Sequence, residues 1–193
     1  MLELPAMDGV ARVLGRDKHM RRLMKRIGPA PVGKRPLFEA LARAVVSQMV
    51  SVHAARAILG RIEQRVGLDP ARLARVRRST LWKLGLSKAK TDCLRTVAQY
   101  MVRGELDELP RLADDEVSAR LVAIKGIGPW TAQMVMIFAL GRPDIWPVGD
   151  VGIQRAAANV YAVSTAELAE LGDRFKPFRS YAAWYLWRSL DKA

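Results

Sequence analysis

The sequence predicts an all-α protein, on three observations. Apolar residues recur at steps of three and four along most of the chain. No stretch alternates apolar and polar residues over a strand's length with β-branched enrichment, and the segment boundaries carry helix-end punctuation. With 193 residues, half of them apolar, the chain can bury a core without staples. It shows no internal repeat or low-complexity segment.

The first helix precedes Gly28-Pro29-Ala30-Pro31-Val32-Gly33. That segment cannot continue a helix and reads as a connector more than a domain boundary. From near Pro36 a second helix carries a stripe of Phe38, Leu41, Ala42, Val45, Val46 and Met49, and a third repeats it in Ala55, Ile58, Leu59, Ile62 and Val66. Asp69-Pro70 offers an N-cap with proline at the first helical position. Leu94, Val97, Ala98 and Met101 mark the next helix. A stripe from Val117 to Ile124 stops at Lys125-Gly126-Ile127-Gly128, and Pro129 opens another helix. Ser164-Thr165-Ala166-Glu167 has capping-box spacing. An aromatic-rich helix with Trp184, Tyr185 and Trp187 ends the series.

Composition bounds the function. Thirty-two Lys and Arg against 19 Asp and Glu give a net charge of +13, so the expected partner is a polyanion, nucleic acid first. Arg72, Arg75, Arg77, Arg78, Lys83, Lys88 and Lys90 precede an acidic stretch from Glu105 to Glu116, which predicts one side facing the polyanion and another turned away. One cysteine and two histidines provide neither an internal disulfide nor a side-chain metal centre. The start Met1-Leu2-Glu3-Leu4-Pro5 lacks a basic segment followed by an apolar one, and the longest apolar run, Met134 to Leu140, is too short to span a bilayer. A soluble cytoplasmic protein is expected, at the nucleoid in a bacterial cell, without a membrane partner.

The Gly-x-Gly turn between two helices carries the chemistry. Its glycines let the backbone come close to a ligand, and the N–H groups opening the next helix point outward at the positive dipole end. That suits a phosphate, although a tight turn between helices needs nothing more. At a short distance follows Trp146-Pro147-Val148-Gly149-Asp150-Val151-Gly152-Ile153, which sets an acid on a glycine-flanked turn.

Together, Ile124 to Ala132 and the Val148-Gly149-Asp150 turn resemble the helix-hairpin-helix and Gly/Pro loop of the HhH-GPD DNA glycosylase superfamily. The stretch from Lys176 to Arg188 is similar to its alkylbase branch, the 3-methyladenine DNA glycosylase II family, and the likeness runs from about Pro36 to Arg188. It implies a compact two-lobed helical fold over residues 1–193 as a single domain, with the hairpin at 117–138 and the loop at 145–153. It also implies a monomer that flips alkylated purines out of double-stranded DNA and hydrolyses their N-glycosidic bond without a cofactor.

By the same resemblance Asp150 is the catalytic carboxylate, and as an acid after glycine it would also cap the following helix. Trp130, Met134 and Trp187 line the base pocket, and Lys125, Gly126, Ile127, Gly128 and Thr131 hold the DNA backbone. Two readings stand for Trp130: stacking on a cationic purine, or core packing against Met134 and Phe138. Met49 is the wedge that fills the gap left by the flipped base, or a buried member of its stripe. The carbonyls of Val122, Ile124 and Ile127 would hold a monovalent cation.

Where superfamily members that cut the strand carry a Schiff-base lysine, this chain has Trp130, which implies a monofunctional enzyme. Only 35 residues precede Pro36, so the family's additional β-containing lobe is expected to be missing. The lack of a four-cysteine cluster separates the chain from the endonuclease III and adenine-mismatch branches. A glycosylase for a deaminated or mispaired base, and a non-catalytic module for unusual DNA shapes, are the alternatives.

Overall fold

The computed structural model describes residues 7–191, which leaves the Met1–Pro5 start outside the described residues. These residues contain helices and turns and no strand, and no helix among them is long and apolar enough to cross a membrane. The described residues divide into two compact units, one of residues 7–34 and 141–191 and one of Arg35–Leu140. The first crossing follows directly on the Gly28–Gly33 connector.

Unit 1 holds α1 (Met7–Leu14), α2 (Lys18–Ile27), α10 (Val151–Tyr161), α11 (Leu168–Asp173) and α12 (Arg179–Ser189). Asp17 caps α2 by accepting from the N–H groups of His19 and Met20 at 2.9 and 3.0 Å. Gly28 ends α2 at φ +85°, a conformation glycine takes without strain. α12 packs on α2 and α10, and its Tyr185 hydroxyl donates to the Gly28 carbonyl at 2.9 Å. Ser180, fully buried, accepts from the Ile145 N–H and donates to the Arg142 carbonyl, which ties the loop before α10 to α12.

Unit 2 holds α3 (Leu37–Ser47), α4 (Val52–Arg65), α5 (Pro70–Arg75), α6 (Arg78–Lys83), α7 (Lys88–Val102), a 3₁₀ turn (Leu109–Arg111), α8 (Asp114–Val122) and α9 (Pro129–Phe138). α3 is its centre: Leu41, Ala42, Val45 and Val46 are buried where it packs on α4, α7 and α9. Asp69 caps α5 with Pro70 at the first helical position, as its sequence predicts.

Two local expectations fail. Met49 is not the end of the α3 stripe: the helix stops at Ser47, and Met49 sits in the following turn, fully exposed, with φ +53°. Ser164 and Glu167 do bond, but the Ser164 N–H and hydroxyl both donate to the carboxylate, and α11 opens only at Leu168. The Glu167 half of the box forms, but residues 165–167 are a turn and α11 has its N-cap at Glu167, so the motif closes a turn before the helix.

Candidate active site and nucleic-acid interface

In unit 1 the loop Gly141–Asp150 delivers the candidate carboxylate. The Asp150 N–H donates to the Pro147 carbonyl at 2.9 Å, closing the turn through Val148 and Gly149. Asp150 is then the N-cap of α10, its Oδ1 accepting from the Ile153 N–H at 2.7 Å. The same oxygen accepts from the indole N–H of Trp187 on α12 at 2.8 Å. Both donors are in place with the residue 9% exposed. Gly152 makes the approach possible: a Cβ there would lie 2.9 Å from Oδ1 and 3.1 Å from the Trp187 ring.

Asp144, the other acid of the loop, is committed elsewhere. Its two carboxylate oxygens take the Arg179 guanidinium at 2.8 and 3.0 Å, at the start of α12. Trp146 anchors the loop through its indole N–H, which donates to the Leu168 carbonyl at 2.8 Å while its ring fills the space beside Gly172.

In unit 2 the hairpin is α8, the turn Ala123–Gly128, and α9. Its two glycines differ in physical cause. Gly126 adopts φ +93° and presses on α7, where an added Cβ would come within 2.9 Å of the Cys93 Cβ. Burial there also pushes the Cys93 thiol up to about 11. Gly128 caps α9 with φ −103°, and a Cβ on it would meet nothing within 4 Å. Gly126 answers to packing, while Gly128 leaves open space in front of the first turn of α9. Pro129 has no N–H, so the outward donors of that turn come from Trp130 and Thr131.

Lys125 is exposed, Trp130 is half-buried and Ile127 is buried. The Thr131 side chain is 1% exposed and its hydroxyl accepts from the Gln48 amide at 2.9 Å, which leaves its backbone N–H as the group that faces outward. Met134 is 7% exposed, one turn beyond Trp130 on the same face.

Sequence reasoning missed the residues that fix the Met49 turn. Gln48 donates from one amide nitrogen to the Gly126 carbonyl and to Thr131, both at 2.9 Å, which ties the turn to the hairpin. The Lys90 ammonium on α7 donates to the carbonyls of Val46 and Gln48 at 2.9 and 2.5 Å. Those carbonyls end α3, where a cation is favourable. Burial lowers the Lys90 pKa. The only available signal was the position of Gln48, a polar side chain closing an apolar helix.

The carbonyls that the resemblance assigns to a cation have suitable chemistry. Val122 is the last residue of α8, where carbonyls lack helical partners. The Ile124 carbonyl accepts the Ile127 N–H at 2.9 Å with one lone pair to spare. Neutral main-chain oxygens of this kind fit a hard monovalent ion.

Residues 42–175 match the HhH-GPD superfamily of base excision DNA repair proteins. DNA-3-methyladenine glycosylase 1 of Schizosaccharomyces pombe is 31% identical over 91% of this chain and 83% of its own. The alkylbase DNA glycosidase-like protein mag2 of the same organism is 29% identical over 89% and 88%. Among solved structures, that of the S. pombe 3-methyladenine DNA glycosylase Mag1 in complex with abasic DNA superimposes with a TM-score of 0.83 at 30% identity, covering 96% of this chain and 98% of that one. A DNA-3-methyladenine glycosidase from Bacillus halodurans gives 0.71 at 35% identity, over 93% and 88%. With its hairpin and its capped aspartate inside the matched region, the chain belongs to the HhH-GPD superfamily of base excision DNA repair proteins.

Proposed function

We propose that this chain is a monofunctional DNA glycosylase of the 3-methyladenine DNA glycosylase II type, which flips an alkylated purine out of duplex DNA, hydrolyses its N-glycosidic bond and leaves an abasic site. The relatives' names and the abasic DNA bound to one of them support that substrate. The observation that carries the reading is Asp150, a carboxylate held by two N–H donors on one oxygen at the N-terminus of α10. A pure binding module gains nothing from such an acid beside phosphates.

In the reaction the bond between C1′ and the base nitrogen breaks, and its electron pair leaves on the base. The sugar develops positive charge, which the Asp150 carboxylate stabilises. Water adds to C1′ and its proton passes to the carboxylate. A cationic alkylpurine departs neutral, so no second acid is required, consistent with the commitment of Asp144 to Arg179.

The Trp130 indole has no amine for a Schiff base, so the strand stays intact. Its half-exposed ring stacks on the electron-poor base, Met134 on the same helix face is a further lining residue, and the Trp187 ring is an aromatic surface beside Asp150 in its own unit. Met49 fills the gap in the duplex. Lys125 and the open face at Gly128 meet the backbone. A monovalent cation, where bound, would be held by the carbonyls of Val122, Ile124 and Ile127 and would supply positive charge toward a phosphate. The protein acts as a cytoplasmic monomer; a dimer in sedimentation would correct that part alone.

The test is release of methylpurines from methylated duplex DNA, with strand scission followed separately. Asn at 150 keeps an oxygen for the Ile153 and Trp187 donors, so Asp150→Asn is expected to stay folded and to lose about 10²–10³-fold in rate. Undiminished release by the variant would remove Asp150 from the chemistry, and scission without alkali would overturn the monofunctional reading.

A further inference from the structure

Outside the hairpin and the Asp150 loop, the strongest concentration of charge lies in unit 1. Residues 12–26 carry seven Lys and Arg against one Asp. All seven (Arg12, Arg16, Lys18, Arg21, Arg22, Lys25 and Arg26) are exposed, and none enters an ion pair among the described residues. Five of them sit on α2, which contains no acid, while Met20 and Leu23 are buried on its other side.

This face is unfavourable to the helix that bears it. Lys18, Arg21, Arg22, Lys25 and Arg26 make five like-charge pairs at steps of three or four, and Lys18 lies at the positive end of the dipole. A local rule broken this consistently marks a surface kept for a partner.

The surface is also grooved. A cavity of about 210 Å³ lies between His19, Arg22, Arg26 and Val160, and one of about 440 Å³ is ringed by Arg16, Lys18, Tyr161 and Arg174. His19 walls both, its ring tilted at 57° against that of Tyr161 with centroids 4.9 Å apart. The one acid there, Asp17, is saturated: it accepts from two backbone N–H groups, the Tyr161 hydroxyl and the Arg174 guanidinium. Its charge is offset by the Arg174 guanidinium at 2.6 Å.

We propose that the α2 groove is a binding surface for the phosphodiester backbone of duplex DNA, distinct in sequence from the hairpin. Lys18, Arg22 and Arg26 follow one another at four-residue steps, about 6 Å each at 1.5 Å per residue. That is close to two steps of the roughly 3.4 Å phosphate rise along one strand. The inference rests on DNA as the substrate in the reading above.

The experiment is fluorescence anisotropy with an undamaged, fluorescein-labelled 30-base-pair duplex across a sodium chloride series. It compares the wild type with Arg22→Ala/Arg26→Ala. A control, Arg103→Ala/Arg111→Ala, removes the same charge where both arginines are paired, to Glu105 and Glu108. Each phosphate that is no longer neutralised lowers the log–log salt slope by about 0.9, so the α2 variant is expected to fall by about 1.8 while the control keeps the wild-type slope. Its thermal midpoint should hold or rise, because repulsion is relieved. An unchanged slope overturns the proposal, as does an equal fall in the control. Unchanged DNA affinity with abolished binding to phosphatidylserine vesicles would overturn it in favour of a membrane. The duplex carries no lesion, so a wild type that binds it but releases no base from methylated DNA would sink the glycosylase reading and leave this one standing.

Discussion

A single oxygen of Asp150 serves the helix and the site together. Oδ1 holds the first turn of α10 and takes the Trp187 indole N–H, so the cap aims the carboxylate. Trp187→Phe keeps an aromatic ring, though a smaller one, and removes the donor. A hydrogen bond to a charged acceptor contributes about 1.5–3 kcal/mol to the fold, so the thermal midpoint should fall by several degrees, and single-turnover base release, measured where the variant is folded, should fall as the carboxylate loses its aim. Unchanged release would make the contact structural only. Asp150 was legible as an acid on a glycine-flanked turn, whereas its bond to a residue 37 positions away has no local signature. Met49 shows the reverse failure. Its spacing fits the α3 stripe, and only the turn at Gln48, pinned by Lys90 and the hairpin, puts it in solvent.

At the level of elements, the two hairpin glycines should behave differently. Gly126→Ala forces a Cβ into Cys93 in a left-handed conformation, so it should cost about 1–3 kcal/mol and lower the melting temperature. Gly128→Ala should leave stability within about 0.5 kcal/mol, since the site is open, and weaken DNA binding by filling the approach to α9. Calorimetry and anisotropy on both variants separate the two causes; equal melting temperatures would contradict the packing argument.

The α3–α4 turn gives a second case. Lys90→Met strips the Val46 and Gln48 carbonyls of their cation, with an expected loss of about 1–3 kcal/mol. With Met49 then loosely held, the variant should also impair base flipping, read by 2-aminopurine fluorescence, and Lys90→Arg should restore part of it. Helix starts such as Asp69-Pro70 were legible because their chemistry is local. The Ser164–Glu167 box was misread because the same four residues can close a turn without opening a helix.

For the whole molecule, charge and topology set the terms. Net charge alone pointed to a polyanion. Which cations stand unpaired on α2 and which are bound up, as Arg179 is by Asp144, depends on contacts no composition reveals. Acid stability follows from Asp17. Burial alone would raise its carboxyl, but hydrogen bonds from Met20, Tyr161 and His19, with the Arg174 charge, outweigh it and hold the pKa below the ordinary 3.8. A depressed folded value stabilises the protein above 3.8, and that contribution is lost as pH falls through the folded value. Asp17→Asn should therefore lower the melting temperature at neutral pH and flatten its decline below about pH 4. A decline as steep as the wild type's would assign acid unfolding to other carboxylates.

Two lobes were implied by the resemblance, but where the chain passes between them was not legible, because the Gly28–Gly33 connector resembles any link between helices. Yet the division has a consequence for the growing polypeptide. The chain leaves unit 1 after Lys34 and returns at Gly141, so Arg35–Leu140 is complete and able to fold once about 140 residues have emerged. α2 must wait for α12, which packs on it from the far end of the sequence. Until the last turn of α12 leaves the ribosome, Met20 and Leu23 have no partner there, and the repelling cations of α2 keep that waiting segment apart from its copies.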